Sequence, residues 1–130
     1  MIVLDTSVLI SALTGSRQAL PELRMTLNRG HRILIPSLVL FEWWRGPRTS
    51  GELATQEELF PSEQALAFGQ REAVLAADLY RTVSRPRARA ADIAIAACAI
   101  ANHAELWTQN SRDFEDIPGL ELYDLDRPTE

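Results

Sequence analysis

Short apolar runs alternate with helical stretches along this chain, and that alternation constrains the fold more than any other feature. Runs rich in apolar residues occur at 1–4, 33–35 and 106–108. They are too short for helices, while the longer stretches between them have helical periodicity. Strands separated by helices form parallel sheets covered by helices on both faces. The sequence therefore predicts an α/β fold, a three-layer α/β/α sandwich with a short parallel central sheet, in one domain spanning 1–130.

Glycines, prolines and capping residues mark the ends of the predicted elements. The predicted helices are residues 6 to about 13, 16–28, 38–45, a surface helix and loop within 49–64, 70–84, 92–103, and one turn at 111–115. Two more short strands are predicted at 66–68 and 120–125. The helix at 92–103 is apolar nearly all round, so we expect it to be central and packed on both sides.

Four acidic residues lie next to these apolar segments, far apart in sequence. Asp5 follows the first strand, Glu42 lies inside a helix, Asp92 opens the central helix, and Asp113 follows the strand near 107. In parallel sheets the functional crevice lies at the carboxyl ends of the strands. We therefore expect the four carboxylates to meet there, as a cage for a divalent metal ion.

Three of these acids also have an ordinary structural interpretation. Asp5 and Asp92 each precede or open a helix, where aspartate is a favoured cap. Asp113 follows Asn110 and Ser111, with which it is able to form a turn.

Glu42 is the hardest acid to explain structurally. It lies between Phe41 and the pair Trp43 and Trp44, where a charge is costly unless it is paired or binds a cation. Its structural alternative is an ion pair with Arg45, three residues along the same helix.

Composition excludes several classes of function. The chain has no lysine, which excludes P-loop nucleotide hydrolysis and lysine Schiff-base catalysis. Its single cysteine, Cys98, allows neither a disulfide framework nor a thiolate zinc site, so the expected compartment is the cytoplasm. The apolar run at 1–4 is too short for a signal peptide or a membrane span.

The net charge of -5 argues against nucleic-acid binding, because a phosphate backbone is usually met by a basic surface. A local basic group just before Asp92, formed by Arg81, Arg85, Arg87 and Arg89, is the exception. This group is either a set of phosphate contacts or a solvated face.

Four motifs in order give the chain a family resemblance. They are Ile-Val-Leu-Asp-Thr-Ser-Val-Leu-Ile at 2–10, Ile-Pro-Ser-Leu-Val-Leu-Phe-Glu at 35–42, Arg-Ala-Ala-Asp-Ile-Ala-Ile-Ala-Ala at 89–97, and Trp-Thr-Gln-Asn-Ser-Arg-Asp-Phe at 107–114 followed by Ile-Pro-Gly-Leu. Over its whole length the chain resembles the PIN-domain nucleases, in particular the small VapC-type toxins of bacterial toxin–antitoxin pairs.

The resemblance implies a site residue by residue. Its metal-binding and catalytic acids would be Asp5, Glu42, Asp92 and Asp113. At the fourth position, Asn110 stands where many relatives have a ligand, so Asp113 or Asp116 completes the site or the site has three acids. Oxygen ligands of this kind suit Mg²⁺ or Mn²⁺.

The resemblance also implies an activity and partners. The activity is endoribonucleolytic, with a metal-activated water attacking the phosphodiester to leave a 5′-phosphate and a 3′-hydroxyl. Thr6, Ser7 and Thr108 would orient carboxylates or a phosphate oxygen. The implied partners are a cognate VapB-type antitoxin, whose C-terminal segment lies across the active site, and a second copy in a homodimer.

Two other functions stay open. One is a PIN-fold binding module without nuclease activity. The other is a phosphohydrolase of the haloacid-dehalogenase type, which requires an aspartate where this chain has Ser7, and a lysine that it lacks. His31 and His103 lie outside all the motifs and are assigned no role. Of the tryptophans, Trp107 is expected in the core, and two adjacent residues such as Trp43 and Trp44 cannot both point inward.

Overall fold

The computed structural model describes residues 1–126; the last positions of the predicted 1–130 domain lie outside this range. Its helices are α1 (Thr6–Leu13), α2 (Leu20–Asn28), α3 (Ser37–Arg45), α4 (Ser50–Leu59), α5 (Gln70–Thr82) and α6 (Ala90–Ala101). Its strands are β1 (Ile2–Leu4), β2 (Ile33–Leu34) and β3 (Glu105–Trp107). Single 3₁₀ turns occur at Ser62–Gln64, Pro86–Arg89 and Ser111–Asp113.

The three strands form a parallel sheet in the order β2-β1-β3. Central β1 is fully buried, and its Ile2 pairs with Ile33 on one side and Glu105 on the other. Because all three strands run the same way, the chain leaves each of them at the same edge of the sheet. The predicted parallel α/β arrangement is confirmed, and this shared edge is where the site must be sought.

Helix α6 is the central helix, as predicted. Residues 95–99 are all buried, and the helix contacts β3, α3 and α5. Alanine at three of these positions leaves room for neighbouring backbones to approach closely on several sides. The prediction of a helix packed on both sides is confirmed.

Several predicted boundaries are wrong. Helix α2 begins at Leu20 rather than at residue 16, because Arg17 takes a left-handed conformation (φ 55°) and Pro21 suits a first turn. Helix α6 begins at Ala90, two residues earlier than predicted, so Asp92 lies within its first turn and does not cap it.

The predicted strands at 66–68 and 120–125 are also wrong. Each segment makes a single parallel bridge, Leu66 to Pro36 and Leu122 to Leu106, at opposite edges of the sheet. Gly69 soon begins the cap of α5, so the first segment turns away before a ladder forms. Within residues 1–126, none of the helices is both long and apolar enough to cross a membrane.

Candidate active site

Asp5 lies at the carboxyl end of β1, where it caps α1, and only 5% of it is exposed. One carboxylate oxygen accepts a hydrogen bond from the Thr6 amide at 2.8 Å. The other accepts from the Ser7 hydroxyl at 2.9 Å and from the Thr108 hydroxyl at 2.7 Å. The capping interpretation was therefore correct, but two hydroxyls go beyond what a cap requires. They fix the orientation of a buried carboxylate.

The same hydroxyls hold the loop after β3 in place. The amide of Gln109 donates to the Ser7 oxygen, and the amide of Asn110 donates to the Thr108 oxygen, both at 3.0 Å. The loop that carries the fourth candidate acid is thus tied to Asp5 through Ser7 of α1 and Thr108, the residue after β3.

Glu42 reaches this edge from the side, through Thr6. The Thr6 hydroxyl donates to the Glu42 carboxylate at 2.6 Å while its amide donates to Asp5. Thr6 therefore connects two of the four acids directly. The alternative pairing also exists, since Arg45 lies 3.5 Å from the second Glu42 oxygen. That arginine side chain is 60% exposed, so the ion pair is weak and does not neutralise the site.

Asp92 lies half-buried in the first turn of α6. Its pKa is raised to about 6, first by burial and then by the negative charges of Asp5, Asp113 and Glu42. Arg89 opposes this rise in the pKa only in part. Asp92 thus lies within reach of the charges of the other three sequence-predicted acids.

The donor set suits a hard cation. Within residues 1–126, no three Asp, Glu, His or Cys side chains are placed so that together they could hold a metal ion. Mg²⁺ does not require such a cage, because it keeps several waters and is commonly held by one or two carboxylates and substrate phosphate. The candidate donors are all oxygen atoms, which Mg²⁺ prefers as ligands. A bound cation would also offset the negative charges that act on Asp92.

The three candidates for the fourth position differ in their surroundings. Asp113 lies in the 3₁₀ turn, where its charge acts on Asp92. The Asp116 carboxylate is held by both terminal nitrogens of Arg89, at 2.5 and 2.9 Å, which lowers its pKa. The amide of Asn110 is bonded to Thr108. The Asp116 carboxylate is thus already paired with the Arg89 guanidinium. The Asp113 carboxylate instead is one of the negative charges that raise the pKa of Asp92.

The predicted arginine group divides in two. Arg81 pairs with Asp78 on α5, and Arg89 pairs with Asp116. Arg85 and Arg87 are exposed and form no ion pair within the part of the chain that the structure describes. No local sequence signal indicates this division, because it depends on the path of a loop 27 residues away.

The aromatic residues beside Glu42 point in opposite directions. Trp43 is completely buried, with the Arg48 guanidinium 4.3 Å from its ring centre. Phe41 and Trp44 are 59% and 50% exposed. The expectation that the two tryptophans cannot both point inward is confirmed. Trp107 is buried as predicted, 4% exposed.

Comparison with known proteins agrees with the parallel α/β fold described above. The model of the PIN domain family matches residues 2–120. A DNA-bound VapBC complex from Salmonella typhimurium is 24% identical with a TM-score of 0.73, covering 95% of this chain and 97% of its own. A toxin–antitoxin complex from Klebsiella pneumoniae is 25% identical with a TM-score of 0.70, covering 92% and 95%.

A third similar structure is FitAcB from Neisseria gonorrhoeae, 20% identical with a TM-score of 0.71, covering 96% of this chain and 98% of its own. Among curated proteins, none matches the sequence significantly.

Proposed function

Since this chain belongs to the PIN-domain family, we propose that it is a VapC-type toxin, a Mg²⁺- or Mn²⁺-dependent endoribonuclease neutralised by a cognate antitoxin. The observation that carries the proposal is the link between Asp5 and Glu42 through Thr6 at the edge where the parallel strands end, together with the action of the charges of Asp5, Glu42 and Asp113 on Asp92. The metal-binding and catalytic residues we propose are Asp5, Glu42, Asp92 and Asp113.

The contacts of each side chain indicate its role in the proposed site. A divalent cation supplies a water of lowered pKa and offsets the charge on the phosphate during in-line attack. Asp5 has hydrogen bonds on both of its oxygens, which hold it in the orientation of a ligand. Thr6 sets the position of Glu42 relative to it. Asp92 completes the negative field that makes binding of the cation favourable.

RNA recognition has suitable groups on both sides of the acids. Exposed Arg85 and Arg87 precede α6 and are free to meet phosphates, despite the net charge of -5. Two clefts flank the loop after β3. One is lined in part by Gln18 and Gln109, and the other in part by Gln109 and Arg112. Amide and guanidinium groups of this kind bind base edges and phosphates of single-stranded RNA.

The antitoxin would occupy the exposed face of α3. The similar structures include complexes described as VapBC and toxin–antitoxin assemblies. Phe41 and Trp44 are half-exposed or more, one residue and two residues from Glu42. Exposed aromatic residues beside a functional site are typical of protein interfaces. An antitoxin segment bound on them would cover the acids.

A homodimer would use α5. Val74 is 57% exposed, in an open cleft that also includes Leu75, Arg71 and Asp78. Two copies of α5 packed antiparallel about a two-fold axis between Val74 and Leu75 bring each Arg71 opposite the other copy's Asp78. Such self-complementarity is what a symmetric dimer interface requires.

Buried Cys98, whose thiol pKa is raised to about 11 by burial, suits the reducing cytoplasm as the site of action.

The test is cleavage of an end-labelled pool of diverse RNAs by the purified protein, with Mg²⁺, Mn²⁺ or EDTA. We expect metal-dependent cleavage that Asp5→Asn reduces by more than about 100-fold, beyond the effect typical of a residue that only supports a ligand. Glu58→Gln, which removes an exposed carboxylate of α4, is the matched control and should cleave normally.

The outcomes separate the proposal from its alternatives. Cleavage that persists in EDTA, or that survives Asp5→Asn, would show that the acids are not the active site. A folded protein that neither cleaves RNA nor binds Mn²⁺ would instead be a PIN-fold binding module.

A further inference from the structure

The Arg89 side chain ties together three separate segments around the acids. One terminal nitrogen donates to the Ser84 carbonyl oxygen, beyond the end of α5, at 3.0 Å. The other donates to the Asp113 carbonyl oxygen at 2.9 Å. Both nitrogens also hold the Asp116 carboxylate. Arg89 itself directly precedes α6, three residues before Asp92.

From this geometry we propose that Arg89 is a positioning residue, which fixes the turn carrying Asp113 against the first turn of α6 so that Asp113 and Asp92 bind the same cation. The inference rests on the proposed metal-dependent function. It assigns to Arg89 and Asp116 a task distinct from both metal binding and RNA binding.

The turn at residues 111–113 has few contacts of its own to hold it in place. Residues 111–113 are exposed and form a single 3₁₀ turn, and Phe114 and Ile117 anchor only the chain that follows. The bond from Arg89 acts on the main chain of Asp113 itself. Without it, the turn is held only at its two ends, by the amide bonds of Gln109 and Asn110 before it and by the buried side chains after it.

Arginine is the side chain that this position demands. Its two terminal nitrogens serve four acceptor atoms on two other segments, and its planar fork matches a carboxylate in two parallel bonds. The side chain is only 17% exposed, although it lies in a basic stretch. Its pKa is raised, chiefly by the hydrogen bonds to Asp116, so it stays charged and engaged.

Arg89 is therefore a poor RNA contact, and its neighbour provides the contrast. Arg87 is exposed and makes no ion pair among residues 1–126. Loss of Arg87 should weaken binding of RNA without changing the affinity for metal. Loss of Arg89 should do the reverse.

The first experiment is a calorimetric titration of Mn²⁺ into the full-length protein, as wild type, Arg89→Met, Asp113→Asn and the double variant. Met keeps the apolar stem and removes the fork. We expect Arg89→Met to raise the Kd for Mn²⁺ about 10- to 100-fold, as for other supports of metal ligands. In the Asp113→Asn background it should have no further effect, because it acts through Asp113.

Two further variants keep the test independent of a folding defect. Asp116→Asn weakens the same link from the exposed end and should raise the Kd in the same direction, whereas Arg87→Ala should leave it unchanged. Amide hydrogen exchange without metal should become faster at Asp113 and Phe114 in Arg89→Met, while exchange in α6 stays as in wild type.

Each contrary result has its own meaning. An unchanged Kd for Mn²⁺ in Arg89→Met, or an equal loss with and without Asp113, overturns the inference while the proposed function stands. Failure of the wild type to bind Mn²⁺ overturns both.

Discussion

Hydroxyl groups hold the most buried acid of the site. Ser7 and Thr108, separated by 101 positions, both donate to the same oxygen of Asp5, and their own oxygens lie 3.4 Å apart. A carboxylate bound in this way has little freedom to turn. Its orientation toward a cation is therefore fixed before the cation arrives.

Removal of the Thr108 hydroxyl tests this preorganisation. Thr108→Val keeps the shape of the side chain and should weaken Mn²⁺ binding about 10- to 100-fold, as expected for a residue that orients a ligand. Thr108→Ser retains the hydroxyl and should bind Mn²⁺ like wild type. Equal affinity in all three proteins, measured by calorimetry, would show that the hydroxyl does not orient Asp5.

The raised pKa of Asp92 predicts how the metal-free protein responds to pH. Its folded-state pKa of about 6 lies above the value of roughly 3.9 in an unfolded chain, so the folded state binds the proton more tightly. Stability is therefore lost as pH rises from about 4 through about 6. The raised pKa of Asp92 is caused first by burial and then by the charges of Asp5, Asp113 and Glu42, while the charge of Arg89 lowers it.

Asp92→Asn removes this penalty, because asparagine carries no charge at any pH. In EDTA, the variant should gain stability relative to wild type between about pH 4 and about pH 7, as measured by urea unfolding. A difference in unfolding free energy that stays constant over this interval would contradict the charge repulsion described for Asp92.

The sequence singled out Asp5, Asp92 and Asp113 by their places beside apolar segments, and Glu42 by its apolar neighbours within a helix; that the four form one site stays a prediction. The pairing of Arg89 with Asp116 was not predictable from the sequence. It depends on how the loop after β3 folds back over the start of α6, and local sequence does not encode a contact across 27 positions. The same path decides which acid of that loop faces Asp92.

Among the elements, α6 depends most on small side chains. Ala96, Ala97 and Ala99 are completely buried in a helix that contacts both the sheet and α5. Protein interiors are close-packed, so extra methylene groups there force neighbours to move.

Enlargement of one of these alanines should be costly. Ala97→Leu should lower the free energy of unfolding by about 1–3 kcal/mol, the usual range for overpacking. The matched control is Ala54→Leu on the exposed side of α4, which should change stability by less than about 0.5 kcal/mol. A similar loss in both variants, measured by urea unfolding, would mean that α6 is not tightly packed.

Helices with clear end signals and the three strands of the sheet were predicted well, whereas the two outer strands were not. The α4 region has a capping box, Thr49 with Glu52, and α3 is closed by Gly46 and Pro47. The segments at 66–68 and 120–125 have strand-like composition, yet each forms only a single isolated bridge. Pairing between distant segments decides that outcome, and periodicity does not report it.

On the scale of the whole molecule, the open face of α5 predicts assembly. Val74→Arg places a charge at the centre of the proposed two-fold contact and should raise the dimer dissociation constant at least about tenfold, as for a central interface residue. Sedimentation of wild type and variant measures this directly, with Ala54→Arg as the control of equal charge. A monomeric wild type, or a variant that dimerises unchanged, would exclude α5 as the interface.

The central claim is that these four carboxylates form one metal site, and the most direct measurement is the position of Mn²⁺ by anomalous scattering in crystals grown with the ion. The account predicts a peak among Asp5, Glu42, Asp92 and Asp113, absent in crystals of Asp92→Asn. A peak only at other carboxylates, or none at this edge of the sheet in a protein that cleaves RNA with Mn²⁺, would contradict it.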